Sequence, residues 1–255
     1  MDTWTDEETR ERYHRPQHPG VDTVRFEDCI PGMQNMPPAC VDLIVADPPF
    51  GLDFTGKSTA YNRNPDLVVE GYVEAPEGYG EFSEAWMAQL PRIMKPHATA
   101  YVFSGWTHLE DVLRAARVAG LTTVNHIVWK YQFGVFTRKK FVTSHYHILM
   151  LVKNPKKYYF NKVEHYPEDV WVINRKYRPG AEKNSTVLPL EVVNKCIQFS
   201  SKPGDLVFDP FMGSGTTAIA ARKAWRHYAG FEKNVKLEEL IKAGLAWADA
   251  TAGEP

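Results

Sequence analysis

One stretch of this chain leaves few architectures open. Leu206-Val207-Phe208-Asp209 is a short apolar run, Gly213-Ser214-Gly215 interrupts it, and Thr216-Thr217-Ala218-Ile219-Ala220-Ala221 has helical character. Strand, glycine-rich turn and helix in this order are a building unit of an α/β sheet. The glycines let the backbone turn tightly and approach a ligand, and the helix start offers unpaired N–H groups. A phosphate loop is excluded, because no lysine ends the turn. The dinucleotide fingerprint Gly-x-Gly-x-x-Gly is not completed, because no glycine stands at its third place. The next strand, His227-Tyr228-Ala229-Gly230-Phe231, ends in Glu232. An acid at that place is the usual ligand of a ribose diol. The expectation is a nucleoside held without its phosphates.

A second motif stands far upstream. The buried-strand pattern Val41-Asp42-Leu43-Ile44-Val45-Ala46 runs into Asp47-Pro48-Pro49-Phe50, so the tetrapeptide hangs off a strand's carboxyl end, where open α/β sheets hold ligands. The prolines fix φ and restrict the residues ahead of them. The Asp47 carboxylate and the Pro48 carbonyl thereby become paired acceptors beside the Phe50 ring. Two acceptors and an aromatic face suit an exocyclic amino group on a planar base. Taken alone, the tetrapeptide also reads as a plain strand-ending turn.

Together the two motifs resemble the S-adenosylmethionine-dependent amino-methyltransferases of DNA. Asp-Pro-Pro-Phe first and Asp-Pro-Phe-Met-Gly-Ser-Gly-Thr-Thr last is the order of their β group, a circular permutation of the common methyltransferase fold. The resemblance covers roughly residues 22–234. It implies a Rossmann-like α/β fold, circularly permuted, with a seven-stranded mostly parallel sheet whose last strand is antiparallel and helices on both faces. It further implies the cofactor S-adenosyl-L-methionine and methyl transfer to the N6 of a flipped-out adenine in double-stranded DNA. Asp47, Pro48, Pro49 and Phe50 would be the catalytic set. Asp28 and Cys29 lie in a segment resembling the one that reads the cofactor's adenine, and Glu232 would take the ribose. Asp209 would lie near the amino end of the methionine, Pro210, Phe211, Gly213, Ser214, Gly215, Thr216 and Thr217 would bind the cofactor together with Asp47, and Thr186 would meet the methionine carboxylate.

The chain departs from the family where a His-Pro-Thr-Gln-Lys-Pro segment is usual. Asn184-Ser185-Thr186-Val187-Leu188-Pro189 stands there, with Asn184 and Leu188 at the His and Lys places. That motivates a reading from another class, a catalytically silent subunit that binds nucleic acid. N4 of cytosine is the alternative acceptor, although cytosine enzymes of the family more often begin the tetrapeptide with Ser. Asp47 is expected to orient and stabilise rather than to act as a full base, since an ordinary carboxylate is a weak one.

Three segments mix cations with aromatics and fall where the family places target recognition, within residues 131–185. They hold Arg138, Lys139 and Lys140, then Lys156 and Lys157, then Arg175, Lys176 and Arg178. Each is a candidate for DNA phosphates, and each also reads as a solvated charged surface. The net charge of −1 requires any DNA surface to be local. Trp106, His108, His145 and His147 lack ligand spacing, and no metal is expected.

Periodicity places strands at 98–103, 122–130 and 145–152 and helices at 82–94, 109–119 and 189–200. Residues 1–20 read as a polar tail, and 21–255 as one methyltransferase domain with a mobile loop at 51–80. No run approaches the ~18 apolar residues of a membrane span. Three scattered cysteines fit a reduced cytoplasm. The resemblance also allows a homodimer or a restriction endonuclease partner.

Overall fold

The computed structural model describes residues 2–15, 20–49, 78–132, 138–175 and 187–251. Eight strands form one sheet: β1 (Thr23–Arg25), β2 (Val41–Ala46), β3 (Met94–Ser104), β4 (Thr122–Lys130), β5 (His145–Val152), β6 (Val170–Val172), β7 (Leu206–Asp209) and β8 (His227–Phe231). Their spatial order is β1-β8-β7-β2-β3-β5-β4-β6. The central strands β2, β7 and β8 are buried throughout, as continuous apolar runs covered on both faces must be.

One core packs under α2 (Cys29–Gln34), α3 (Tyr79–Met87), α4 (Leu90–Ile93) and α5 (Leu109–Val118). The other packs under α6 (Leu190–Ser200), α7 (Thr216–Lys223) and α8 (Glu238–Ala250). Alternation along β2 sends Ile44 and Ala46 to the first core and Leu43 and Val45 to the second. Trp129 on β4 is wholly buried in the second core, and its indole N–H donates to the Ile173 carbonyl at 2.8 Å.

The sheet differs from the sequence expectation in two ways. It has eight strands rather than seven, because Val170–Val172 adds a parallel edge beside β4. Three residues are too few to announce themselves by alternation. The antiparallel strand is β5, the fifth in chain order, and it runs against both β3 and β4 inside the sheet. Among the described residues of the 14-residue connection between Lys130 and His145 there is no helix, and a parallel return needs a crossover helix.

The first residues also carry more structure than a tail. Helix α1 (Asp6–Tyr13) begins at a Thr5–Glu8 capping box. It docks on the amino ends of the strands: Arg12 donates to the Pro203 carbonyl at 2.9 Å, and the Tyr13 ring stacks on His227 at 4.4 Å. Both His227 nitrogens meet acceptors, Asp22 at 2.9 Å and the Tyr13 carbonyl at 2.8 Å.

Candidate active site

The parallel strands β1, β8, β7 and β2 end side by side, and an acid follows or closes each: Asp28, Glu232, Asp209 and Asp47. Leu43 pairs with Val207 and Ile44 with Phe208. That register brings Asp209 level with Val45, and Asp47 lies two residues further along the same face.

Each acid has its own surroundings. Asp47 is half-buried. Its carboxyl is pushed up to about 7, first by burial and then by the charge of Asp209, while Arg175 pulls the other way. Loss of hydration disfavours the charged form. Asp209 is 3% exposed. One of its oxygens accepts from the Thr217 hydroxyl at 2.5 Å and the other from the Phe211 N–H at 2.8 Å. Burial still pushes it up to about 7, aided by the nearby charge of Glu232. Glu232 holds the glycine turn by accepting from the Gly213 N–H, and it also accepts from the Asn234 N–H, both at 2.7 Å. Burial raises its pKa as well.

The turn itself needs its glycines. Gly213 and Gly215 sit at φ +53° and +86°, in left-handed backbone that side chains disfavour. Gly215 caps α7 without a side-chain acceptor, so the first N–H groups of that helix have no capping side chain. Pro210 is buried, and Ser214 and Thr216 are partly exposed on the turn. Phe211 turns to the other face of the sheet and meets Trp86 edge-on at 5.2 Å. It anchors the turn against α3.

Asp28 caps α2 by accepting from the Ile30 N–H at 2.9 Å, and Lys233 bridges to it at 2.9 Å. Burial pushes its carboxyl up, but the ammonium and the N–H outweigh it and hold it below the ordinary value. Cys29 is buried beside it, and burial pushes its thiol up to about 12. Phe50, Thr186, Lys176, Arg178 and nearly all of the 51–80 loop lie outside the described residues. Leu188, at the family's lysine place, is buried in the second core.

A model of the DNA methylase family, covering both N6 and N4 enzymes, matches residues 41–243. The chain belongs to this family. It is 27% identical over 237 residues to the type II methyltransferase M.HpaI of Haemophilus parainfluenzae, covering 86% of this chain and 72% of that one. In fold it is similar to M1.HpyAVI in complex with SAM, at TM-score 0.65 and 22% identity, with 88% and 98% of the two chains covered. It is equally similar to the cytosine-N4-specific PvuII DNA methyltransferase, at TM-score 0.65 and 15% identity, with 88% and 92% covered.

The three basic segments of this methylase do not share one surface. Arg138, Lys139 and Lys140 are exposed on the β4–β5 connection, at the Asp47 end of the sheet. Lys156 and Lys157 follow β5, and β5 runs backwards, so they emerge at the opposite end. Eight residues at ~3.3 Å each put them roughly 25 Å from the β4–β5 connection. They therefore lie at the end of the sheet away from Asp47.

Arg175 is corrected differently. Its guanidinium lies over the rings of Tyr131 at 4.3 Å, Tyr146 at 4.7 Å and Trp129 at 5.3 Å. It faces inward, which reading it as one member of a surface cation run does not capture. The signal for it is the two-residue spacing of Trp129 on β4 and Tyr131 just after the strand. Elsewhere, His126 and His147 are hydrogen-bonded at 2.7 Å. Among the described residues no group of three His, Cys, Asp or Glu is placed to hold a metal, and no helix is long and apolar enough to cross a membrane.

Proposed function

We propose that this DNA methylase transfers a methyl group from S-adenosyl-L-methionine to the N6 of an adenine flipped out of double-stranded DNA. The observation that carries the reading is the placement of Asp47 and Asp209 on one face, at adjoining strand ends, beside the glycine turn held by Glu232. Two desolvated carboxyls pushed towards 7 suit a cationic ligand, because a positive charge there relieves both. The left-handed glycines and the uncapped start of α7 suit close approach of an uncharged nucleoside. Asp28, Glu232 and Asp209 would hold its adenine, ribose and ammonium ends. When bound, the cofactor supplies a methyl group on a sulfonium.

The exocyclic amino nitrogen is a poor nucleophile, since its lone pair is delocalised into the ring. Asp47 and the Pro48 carbonyl accept its two N–H bonds and favour the tetrahedral, increasingly positive nitrogen of the transition state. As the N–C bond forms and the C–S bond breaks, the nitrogen gains positive charge and must shed a proton. Asp47, as the acceptor at that nitrogen, is placed to receive it. A base inside a duplex cannot reach this recess, so it must leave the stack.

Aspartate at the first catalytic place supports adenine over cytosine. Mass spectrometry of nucleosides from mixed-sequence DNA, incubated with the protein and isotope-labelled S-adenosylmethionine, tests this. Labelled N6-methyladenine is expected. Labelled N4-methylcytosine would keep the mechanism and change the base. Absence of label with intact DNA binding would favour the silent subunit, the reading motivated by the buried apolar Leu188.

A further inference from the structure

We propose that Phe141, on the β4–β5 connection, is the wedge that enters the base stack of the duplex as the target base leaves it. The proposal rests on the methyl transfer inferred above, in which the base must reach Asp47 from inside a duplex.

The side chain takes no part in the fold. Phe141 is 99% exposed, more than any other large apolar side chain among the described residues, and it belongs to neither core. A single apolar residue on a surface needs no explanation by itself. What singles out Phe141 is where it stands and what stands beside it.

Its place follows from the sheet register. Ala46 pairs with Val102, and Phe103 with Ile148, so Asp47 is level with Phe103 and Ile148. Because β5 runs backwards, the residues before Ile148 stand progressively beyond Asp47 at that end of the sheet. Phe141 comes seven residues earlier, at most ~23 Å further out and two strand spacings, roughly 10 Å, to the side. The base of the connection is held from both strands. The Tyr131 N–H donates to the Ser144 carbonyl at 3.0 Å, and the Tyr131 ring lies 5.6 Å from that of Tyr146 and 4.3 Å from the Arg175 guanidinium. The Gln132 side chain accepts from the Arg175 N–H at 2.8 Å and donates to its carbonyl at 2.7 Å. Asp47 is therefore recessed, and Phe141 leads it from an anchored mount. That is the arrangement needed to meet the stack while the base is drawn inward.

Its neighbours point to nucleic acid. Arg138, Lys139 and Lys140 immediately precede it and are all exposed. Cations suit the phosphates that flank a base step, and an apolar side chain beside them suits the gap within the step. A second exposed aromatic at this end is Trp106, two residues after β3. The charges near it have the opposite sign, because Glu110 and Asp111 open α5, and they would repel a phosphate backbone. Phe141 is thus the better placed of the two. Its flat ring can take the stacking that the departed base gives up and can obstruct its return.

The test is single-turnover methylation by the full chain, on two duplexes that carry the target mapped by the parent's own labelling of mixed-sequence DNA. One duplex is fully matched. The other has an abasic site opposite the target base, so that no partner holds the base in. Phe141→Ala should slow methylation of the matched duplex by about tenfold or more, the scale of one lost base–aromatic stack. On the abasic duplex it should come within about threefold of the parent, because the cost of unpairing is already removed. Phe141→Leu, which keeps an apolar wedge, should recover part of the loss. The salt slope of DNA binding and the melting temperature should stay at parent values, since the side chain holds no phosphate and packs in neither core. An unchanged rate on the matched duplex, an equal loss on both duplexes, or abasic rescue seen in Trp106→Ala instead of Phe141→Ala would overturn the proposal. So would a changed sedimentation of the Phe141→Ala protein, which would make the ring a contact between protein chains. A parent that labels no DNA defeats the methyl transfer and the wedge together, whereas an active parent beside an unaffected Phe141→Ala defeats the wedge alone.

Discussion

Strand β2 and the turn that ends it carry two aspartates five residues apart, and they face opposite fates. Asp42, at the amino end, is 3% exposed and fully engaged: Lys95 at 2.7 Å, His97 at 3.0 Å and the Leu206 N–H at 3.0 Å. Burial alone would raise its pKa, but His97 and Lys95 outweigh it and hold the carboxyl below the ordinary range. Asp47, at the carboxyl end, has no such direct partner among the described residues, and the loss of hydration wins. The two sites share a strand, a residue type and a low-dielectric setting. The number of donors supplied from neighbouring strands separates a structural acid from a poised one.

The largest effect that can break this comparison comes from Asp47→Ala. Turnover should fall at least ~100-fold, on the scale of losing one oriented charge-stabilising group, while the melting temperature holds or rises slightly. Survival of turnover would remove Asp47 from the centre of the chemistry. Asp42→Ala should do the reverse. It leaves Lys95 and His97 without their acid and should cost about 2–3 kcal/mol in urea unfolding, below the ~3–5 of a fully buried pair because both cations reach solvent. The rate per folded molecule should hold; a large rate loss would mean that the two ends are coupled.

The pH responses sharpen the contrast. Because the folded pKa of Asp42 is depressed, its contribution to stability is complete above the unfolded value of 3.8 and disappears as pH falls through the lower folded value. Asp47 is raised, so the folded protein takes up a proton there between about pH 4 and 7, and its ionisation costs stability as pH climbs through that window. Acid unfolding should therefore track Asp42, and kcat/KM should track Asp47 with a limb near 7. Coincident midpoints would sink the distinction.

A similar contrast holds at His227. Its two ring nitrogens face acceptors, the Asp22 carboxylate and the Tyr13 carbonyl, and these raise its pKa above the ordinary value despite burial. The anchorage of α1 should be complete below pH 6.5 and weaken as pH rises through the folded value. Hydrogen exchange of the α1 amides measures this, and protection independent of pH would exclude the latch. The smallest effect concerns the two exposed basic clusters. Neutralising Arg138, Lys139 and Lys140 should flatten the salt dependence of DNA binding by about one slope unit for each phosphate they neutralise, and neutralising Lys156 and Lys157 should leave it unchanged.

Much of this is legible residue by residue. The spans 122–130 and 145–152 coincide with β4 and β5 because long alternating or continuous apolar runs have few other homes. The glycine turn and the acid after β8 are readable because backbone geometry demands those residue types. Helix α1 escapes such a reading, since a polar helix that packs mainly through Arg12 and Tyr13 carries no apolar stripe. Strand β6 escapes it because three residues carry no period.

The sequence by itself determined the α/β class, the order of the two motifs and the acids that close the parallel strands, because each follows from local pattern and backbone restriction. Tertiary structure alone decided the direction of β5, and with it the end of the molecule at which Lys156 and Lys157 emerge. It also decided that Arg175 turns inward and that Asp47 sits near neutrality while Asp42 does not. A buried strand reads the same in either direction, and a carboxyl's proton affinity depends on donors and charges that the chain brings together from far apart.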